Sequence, residues 1–190
     1  MLNRDFTYDV LDVIQTRWSP RALDPNRKIK KDDLLAILEA ASYAPSCFNE
    51  QPWEYIVGND DEDREKILDI LNDKNRAWAK NAPVLMIAVA RKNFAYNDKP
   101  NPWHQFDTGT SWGFLSLEAQ KRGIHTHGMA GFSKDKVREV FDVPEDYTVI
   151  AAIAMGYYGD KSTLSPDQQE KEYPQPRKPI AEMIFNRKKD

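Results

Sequence analysis

Two guanidinium groups and a hydroxyl fall within five residues at Arg17-Trp18-Ser19-Pro20-Arg21. Arginine presents a planar fork of donors that meets a phosphate two bonds at a time, and a short hydroxyl adds another. The spacing therefore suits phosphate binding, although such a set, taken alone, is more often a solvated helix end. A second basic cluster, Arg177-Lys178-Pro179, stands near the far end of the chain. Between them runs a polar loop, Pro45-Ser46-Cys47-Phe48-Asn49-Glu50-Gln51-Pro52. Ser46, Asn49 and Gln51 can both donate and accept, which fits a heteroaromatic ring edged with alternating carbonyl and NH groups. The same side chains often serve only their own loop backbone.

Other constellations carry less. Gly109-Thr110-Ser111-Trp112-Gly113 has the spacing of a nucleophile elbow, but an elbow needs a strand before it, and here a helix is already under way. No histidine follows His127, and Glu118 shares the helix of Ser111, so no triad order exists. Small residues that let a helix pack closely are the preferred reading. His125 and His127 share one face of an extended segment, as a cofactor-pocket wall or a solvated strand would have them; with no third ligand, a metal site is not expected. Neither G-x-G-x-x-G nor a Walker A sequence occurs, so a nucleotide would be held by basic side chains on its phosphate.

The elements that must position these groups follow from periodicity. Tyr8, Leu11 and Ile14 predict a short helix over 8–15, and Leu34, Ile37, Leu38 and Ala41 predict another from Lys31 to Ser42, stopping before Pro45. A strand is predicted at Trp53–Val57, a surface helix at Asp60–Asp73, and a central strand at Val84–Ala90. Residues 91–104 are aromatic and irregular; Asp107–Arg122 is helical, with Gly123 as its cap. Ser133 caps a helix to Phe141, Val149–Tyr157 is a second central strand, and a proline-punctuated arm ends in a short apolar helix near Ile180–Phe185. Without regular βαβ spacing, the class is α+β, and arms of this kind point to an intertwined dimer.

Composition agrees with one domain over all 190 residues, with 41% hydrophobic and 30% charged residues. A net charge of −3 offers no field for nucleic acid. Cys47, the lone cysteine, excludes an intrachain disulfide and a multi-cysteine metal site, and suits the reducing cytoplasm. Arg4, Asp5 and Asp9 leave no apolar core for a signal peptide, and no apolar run approaches the length of a membrane span.

Taken in order, the signposts resemble the nitroreductase superfamily of FMN-dependent NAD(P)H oxidoreductases. They are R-x-S-x-R at 17–21, A-P-S-x-x-N-x-Q-P-W at 44–53, the apolar strand after Ala82-Pro83 and the helix ending Arg122-Gly123. G-M-x-G-F at 128–132, Val143-Pro144-Glu145, the strand to Tyr157 and Arg177-Lys178-Pro179 complete them.

The resemblance implies a mostly antiparallel central sheet flanked by helices, in an intertwined homodimer whose arm, from about residue 160 to 190, packs on the partner subunit. It implies FMN at the dimer interface. Arg17, Ser19 and Arg177, with Lys178, would contact the ribityl phosphate, and Arg21 the N1–C2 edge. Pro45, Ser46, Cys47, Asn49 and Gln51 would come from the other subunit, and Ala130 and Gly131 would pass near N5 through backbone groups. Hydride would pass from NAD(P)H through N5 to nitroaromatic, quinone or similar conjugated acceptors in ping-pong fashion, with no side-chain nucleophile. Tyr96, Trp103, His104 and Phe106 would border the acceptor pocket or simply cover the sheet edge.

Three positions depart from the family pattern: Trp18 where many relatives carry a second arginine, Cys47 in place of serine, and Ala130 in place of glutamate. Flavin storage without efficient turnover is the alternative of a different class. Dehalogenation or flavin breakdown would need lid residues that the sequence does not offer.

Overall fold

A computed structural model describes residues 6–185; Arg4 and Asp5 lie outside the described residues. Four strands form one sheet in the order β1-β2-β4-β3, with β1 at Trp53–Gly58, β2 at Val84–Arg91, β3 at Ile124–Met129 and β4 at Tyr147–Tyr157. Every pairing is antiparallel: Trp53 faces Ala90, Val84 faces Met155, and Ile124 faces Tyr157. A register shift between Ala88 and Val89 bends the β2–β4 ladder.

Strand β2 reads as one apolar run because both sheet faces are covered. Leu85, Ile87 and Val89 join Ile67, Trp78 and Val137 in one core; Met86 and Ala88 join Ile37, Leu115 and Ile153 in the other. Leu85, Met86 and Ile87 are each 0% exposed, and full burial of such side chains is worth about 1.5–3 kcal/mol apiece. Helices α2 (Lys31–Ser42) and α5 (His104–Lys121) cover the second face, while α3 (Asp61–Ile70), α4 (Asp73–Ala79) and α6 (Lys134–Phe141) border the first. This is the expected α+β arrangement. No helix among the described residues is long and apolar enough to cross a membrane.

The structure corrects several predicted boundaries. The first helix is only α1, Asp12–Thr16, because Tyr8 and Leu11 are each 67% exposed and have no core to pay into. The helix predicted over Asp60–Asp73 breaks at Leu71, which is extended and bridges Phe132, and Asn72 caps a separate α4 by accepting from the Asn75 amide. Helix α5 starts at His104 rather than Asp107, since the Asn101 side chain accepts from the Trp103 amide at 3.0 Å. The stretch carrying His125 and His127 is a full edge strand. Gly123 caps α5 at φ 70° and Ser133 caps α6, as expected. Near the end, Ile180–Met183 forms only an exposed 3-10 turn.

Candidate functional site

The Arg17–Arg21 segment leaves α1 in extended form and is pinned to the end of β4. Leu23 bridges Tyr158, Asp24 N donates to Tyr157 O at 2.9 Å, and Gly159 N donates to Ala22 O at 2.8 Å. A Cβ at Gly159 would lie 2.8 Å from the Asp24 amide nitrogen, so the close approach requires glycine. Arg17 Nη1 donates to Ser19 Oγ at 3.4 Å. Trp18 is turned inward, 7% exposed, with its ring centroid 5.5 Å from Tyr158 and 6.1 Å from His125. It is a packing residue in this fold, and not a substitute for the missing arginine.

Arg17, Ser19 and Arg21 line one cavity of about 230 Å³ together with Arg177, so two clusters from opposite ends of the sequence meet there. Trp18, Pro174, His127, Lys171, Tyr173 and Gln175 complete its walls. The last three were not legible beforehand. They lie in a polar, proline-rich stretch without regular secondary structure, which carries no burial signal. His127 Nδ1 donates to the Pro20 carbonyl, and its ring centroid lies 4.7 Å from that of Trp78. Burial holds His127 below the usual histidine range, reinforced by the charges of Arg21 and Arg17 and opposed by the Pro20 carbonyl. Burial and Arg17 lower His125 similarly, against a backbone contact to Trp18. Lys178 is exposed and lies outside the cavity.

Ala130 and Gly131 line a second concavity of about 430 Å³ with Asn72, Ser133 and Lys136. The Gly131 carbonyl is tied down by Asn72 N at 3.0 Å and Asn75 Nδ2 at 3.1 Å.

The polar loop lies apart from both cavities. Phe48, Asn49 and Gln51 all take left-handed φ values, of 53°, 56° and 50°. Such strain persists only where surroundings over-determine it. Here Ser46 Oγ accepts from Gln51 N at 3.0 Å, and the buried Asp107 carboxylate accepts from Cys47 N at 3.0 Å. Pro45 follows the end of α2 after Tyr43 and Ala44. Phe48 meets Phe94 and Tyr96 edge-on, at centroid distances of 5.9 Å and 6.3 Å. Tyr96, Trp103 and Phe106 are exposed. His104 instead joins helix to sheet, with Nδ1 2.7 Å from Asn101 O and Nε2 2.9 Å from Thr148 Oγ1.

Ser111 is fully buried; its Oγ donates to Ala41 O at 3.1 Å and accepts from Tyr55 at 2.9 Å. A hydroxyl so occupied has no access to a substrate. Gly109 and Gly113 do not serve close packing within the chain, since an added Cβ at either meets nothing within 4 Å. No cluster of three metal-ligating side chains exists among the described residues.

Comparison with known proteins follows the same outline. The nitroreductase family model matches residues 14–77 and 70–157. The chain is 39% identical, at a TM-score of 0.92, to a solved oxidoreductase containing FMN, over 98% of this chain and 96% of the other. It is 23% identical to YodC of Bacillus subtilis, provisionally named an NAD(P)H nitroreductase, over 78% of this chain and 89% of that protein. A shorter match, 30% identical over 33% of this chain and 29% of the other, is to the major NAD(P)H-flavin oxidoreductase of Aliivibrio fischeri.

Proposed function

The chain belongs to the nitroreductase family, and from that premise we propose that it is an FMN-dependent NAD(P)H oxidoreductase acting on small conjugated acceptors such as nitroaromatics and quinones. The observation that carries this reading is the shared cavity of Arg17, Ser19, Arg21 and Arg177. Four cationic side chains, counting Lys171, and one hydroxyl around a single space are the donor set a phosphomonoester needs. A similar protein of the same fold contains FMN.

FMN, when bound, supplies the two-electron relay between nicotinamide and acceptor. The chain supplies placement and charge. Arg17, Ser19 and Arg177 would hold the phosphate, with Lys178 next to Arg177 in the chain but outside the cavity. Arg21 holds the N1–C2 edge, where a fixed guanidinium stabilises negative charge. Ala130 and Gly131 offer backbone groups toward N5, and Asn72 and Asn75 keep the Gly131 carbonyl still. NAD(P)H and acceptor use the same face in turn, which makes the kinetics ping-pong.

The reading includes a homodimer. Helix α5 exposes Phe106 and Phe114 beside Gly109 and Gly113; Tyr8 and Leu11 are exposed at one end of the chain, Met183 and Phe185 at the other. Apolar surface distributed this way supports cover by a second copy. That copy would bring its own Pro45, Ser46, Cys47, Asn49 and Gln51 to the flavin, with Tyr96, Trp103 and Phe106 bordering the acceptor. The arm divides accordingly: as far as Arg177 it lies against its own protomer, and Ile180–Phe185 remains for the partner. The lone cysteine fits a cytoplasmic setting.

The deciding experiment is the visible spectrum of purified protein before and after anaerobic NADH or NADPH. A flavin band that bleaches is expected. Protein that cannot be loaded with FMN, or whose flavin neither nucleotide bleaches, overturns the reading.

A further inference from the structure

Glu172 is 6% exposed and sits in the middle of the arm. Its Oε1 accepts from two consecutive backbone amides, Arg21 N at 2.7 Å and Ala22 N at 2.8 Å. Its Oε2 has no hydrogen-bond partner among the described residues. A buried carboxylate with one idle oxygen is a costly way to fasten two segments, and an apolar contact would do it more cheaply. What the carboxylate provides is direction. Two charge-assisted bonds to adjacent amides fix the backbone from which the Arg21 side chain reaches the cavity. With Glu172 turned to the loop, the arm lines the cavity with Lys171, Tyr173, Pro174, Gln175 and Arg177. The remaining hydrogen bonds of Gln175 and Arg177 stay local: Gln175 Nε2 donates to Tyr173 O at 3.5 Å and Arg177 Nη1 to Gln175 O at 3.0 Å. Those bonds shape the arm but do not dock it. Four like charges around one space repel each other, and such a fastening holds them together against that repulsion.

We infer that Glu172 is the positioning residue of the anion cradle, a strut that docks the arm on the Arg21–Ala22 backbone, and that Lys171 is a phosphate ligand alongside Arg17 and Arg177. This rests on the FMN reading only for the identity of the phosphate bearer. The cradle itself is a site for a phosphomonoester.

The test compares FMN with riboflavin, which lacks the phosphate, by fluorescence titration of flavin-free protein. Wild type should prefer FMN. Glu172→Ala should lose about tenfold or more of FMN affinity and clearly less of riboflavin affinity, because riboflavin meets Arg21 at the N1–C2 edge but has no phosphate for the arm to hold. Glu172→Gln, which keeps an acceptor oxygen for the two amides, should restore most of the preference. Lys171→Met, at an exposed position that leaves folding intact, should also lose FMN preference and flatten the salt dependence of FMN binding. Equal losses for FMN and riboflavin in Glu172→Ala, or an unchanged preference in Lys171→Met, overturn the inference. Inorganic phosphate, followed by its 31P linewidth, separates the two readings. Flavin-free wild type that broadens the phosphate line but takes up no flavin refutes the FMN reading; Glu172→Ala must then abolish the broadening, or the cradle is refuted too. Protein that binds neither flavin nor phosphate refutes both.

Discussion

His127 Nδ1 lies 3.0 Å from the carbonyl oxygen of Pro20, so an edge strand and the arginine segment are joined by one imidazole N–H. The carbonyl can only accept, which fixes the hydrogen on Nδ1 in the neutral ring.

Burial of this ring, against the pull of the Pro20 carbonyl, makes the flavin-free protein sensitive to acid. With its folded pKa held below the unfolded value of about 6.5, His127 binds fewer protons in the folded state as pH falls through that value. Stability is therefore fully present above about pH 6.5 and declines below it. His127→Asn keeps a donor for Pro20 and removes the titration. Its urea midpoint should drop less than that of wild type between about pH 7.5 and about pH 5.5. Parallel drops would assign the acid sensitivity to His125 or to carboxylates elsewhere.

Arg17→Ala should separate cofactor retention from folding. A charge-assisted contact is worth about 1.5–3 kcal/mol, so FMN affinity should fall tenfold or more while the yield of folded protein stays near that of wild type. Flavin that co-elutes with the variant through gel filtration would contradict the phosphate assignment.

Gly131→Ala should destabilise the chain by about 1–2 kcal/mol, the worth of a helix cap. A Cβ there would lie 2.2 Å from Asn72 Nδ2 and 2.8 Å from Asn75 Nδ2, and Asn72 cannot retreat without releasing the first turn of α4. Thermal denaturation measures the loss, and an unchanged midpoint would mean that the asparagines yield freely.

Light scattering after gel filtration should give twice the chain mass of 22.0 kDa. Phe114→Asp, on the exposed face of α5, should shift the protein toward monomer and lower FMN affinity in parallel. A monomer that keeps its flavin would show that the Pro45–Gln51 loop of a second copy is dispensable.

Ser111→Ala should leave NAD(P)H oxidation intact and cost about 1 kcal/mol of stability, because Tyr55 loses its partner. Lost turnover in a stably folded variant would reopen a chemical role for this hydroxyl.

Much of the fold can be read from the sequence where burial imposes a period. Leu34, Ile37 and Ala41 mark α2, and the run Val84–Ala90 marks a strand covered on both sides. The inward turn of Trp18 is not legible in the sequence, because a motif records spacing and says nothing of which way a side chain turns. The break at Leu71 escaped notice since Ile67, Ile70 and Leu71 continue a helical pattern, while the deciding event is a bridge to Phe132. Arg17 and Arg177 could be paired only through the family's signposts. Lys171 and Glu172 were invisible, because neither composition nor period distinguishes a docked extended arm from a solvated one.

A cradle divided between residues 17–21 and 171–177 also imposes an order of assembly. The Arg21–Glu172 bond spans 151 positions of the chain. Closing a loop of that size costs entropy that only a formed sheet can offset. During synthesis the N-terminal half of the cradle leaves the ribosome long before its complement. A nascent chain could therefore bury β1, β2 and β4 and still be unable to grip a phosphate. Cofactor loading becomes a late event, and a protein clipped within the arm would keep its sheet while releasing its flavin.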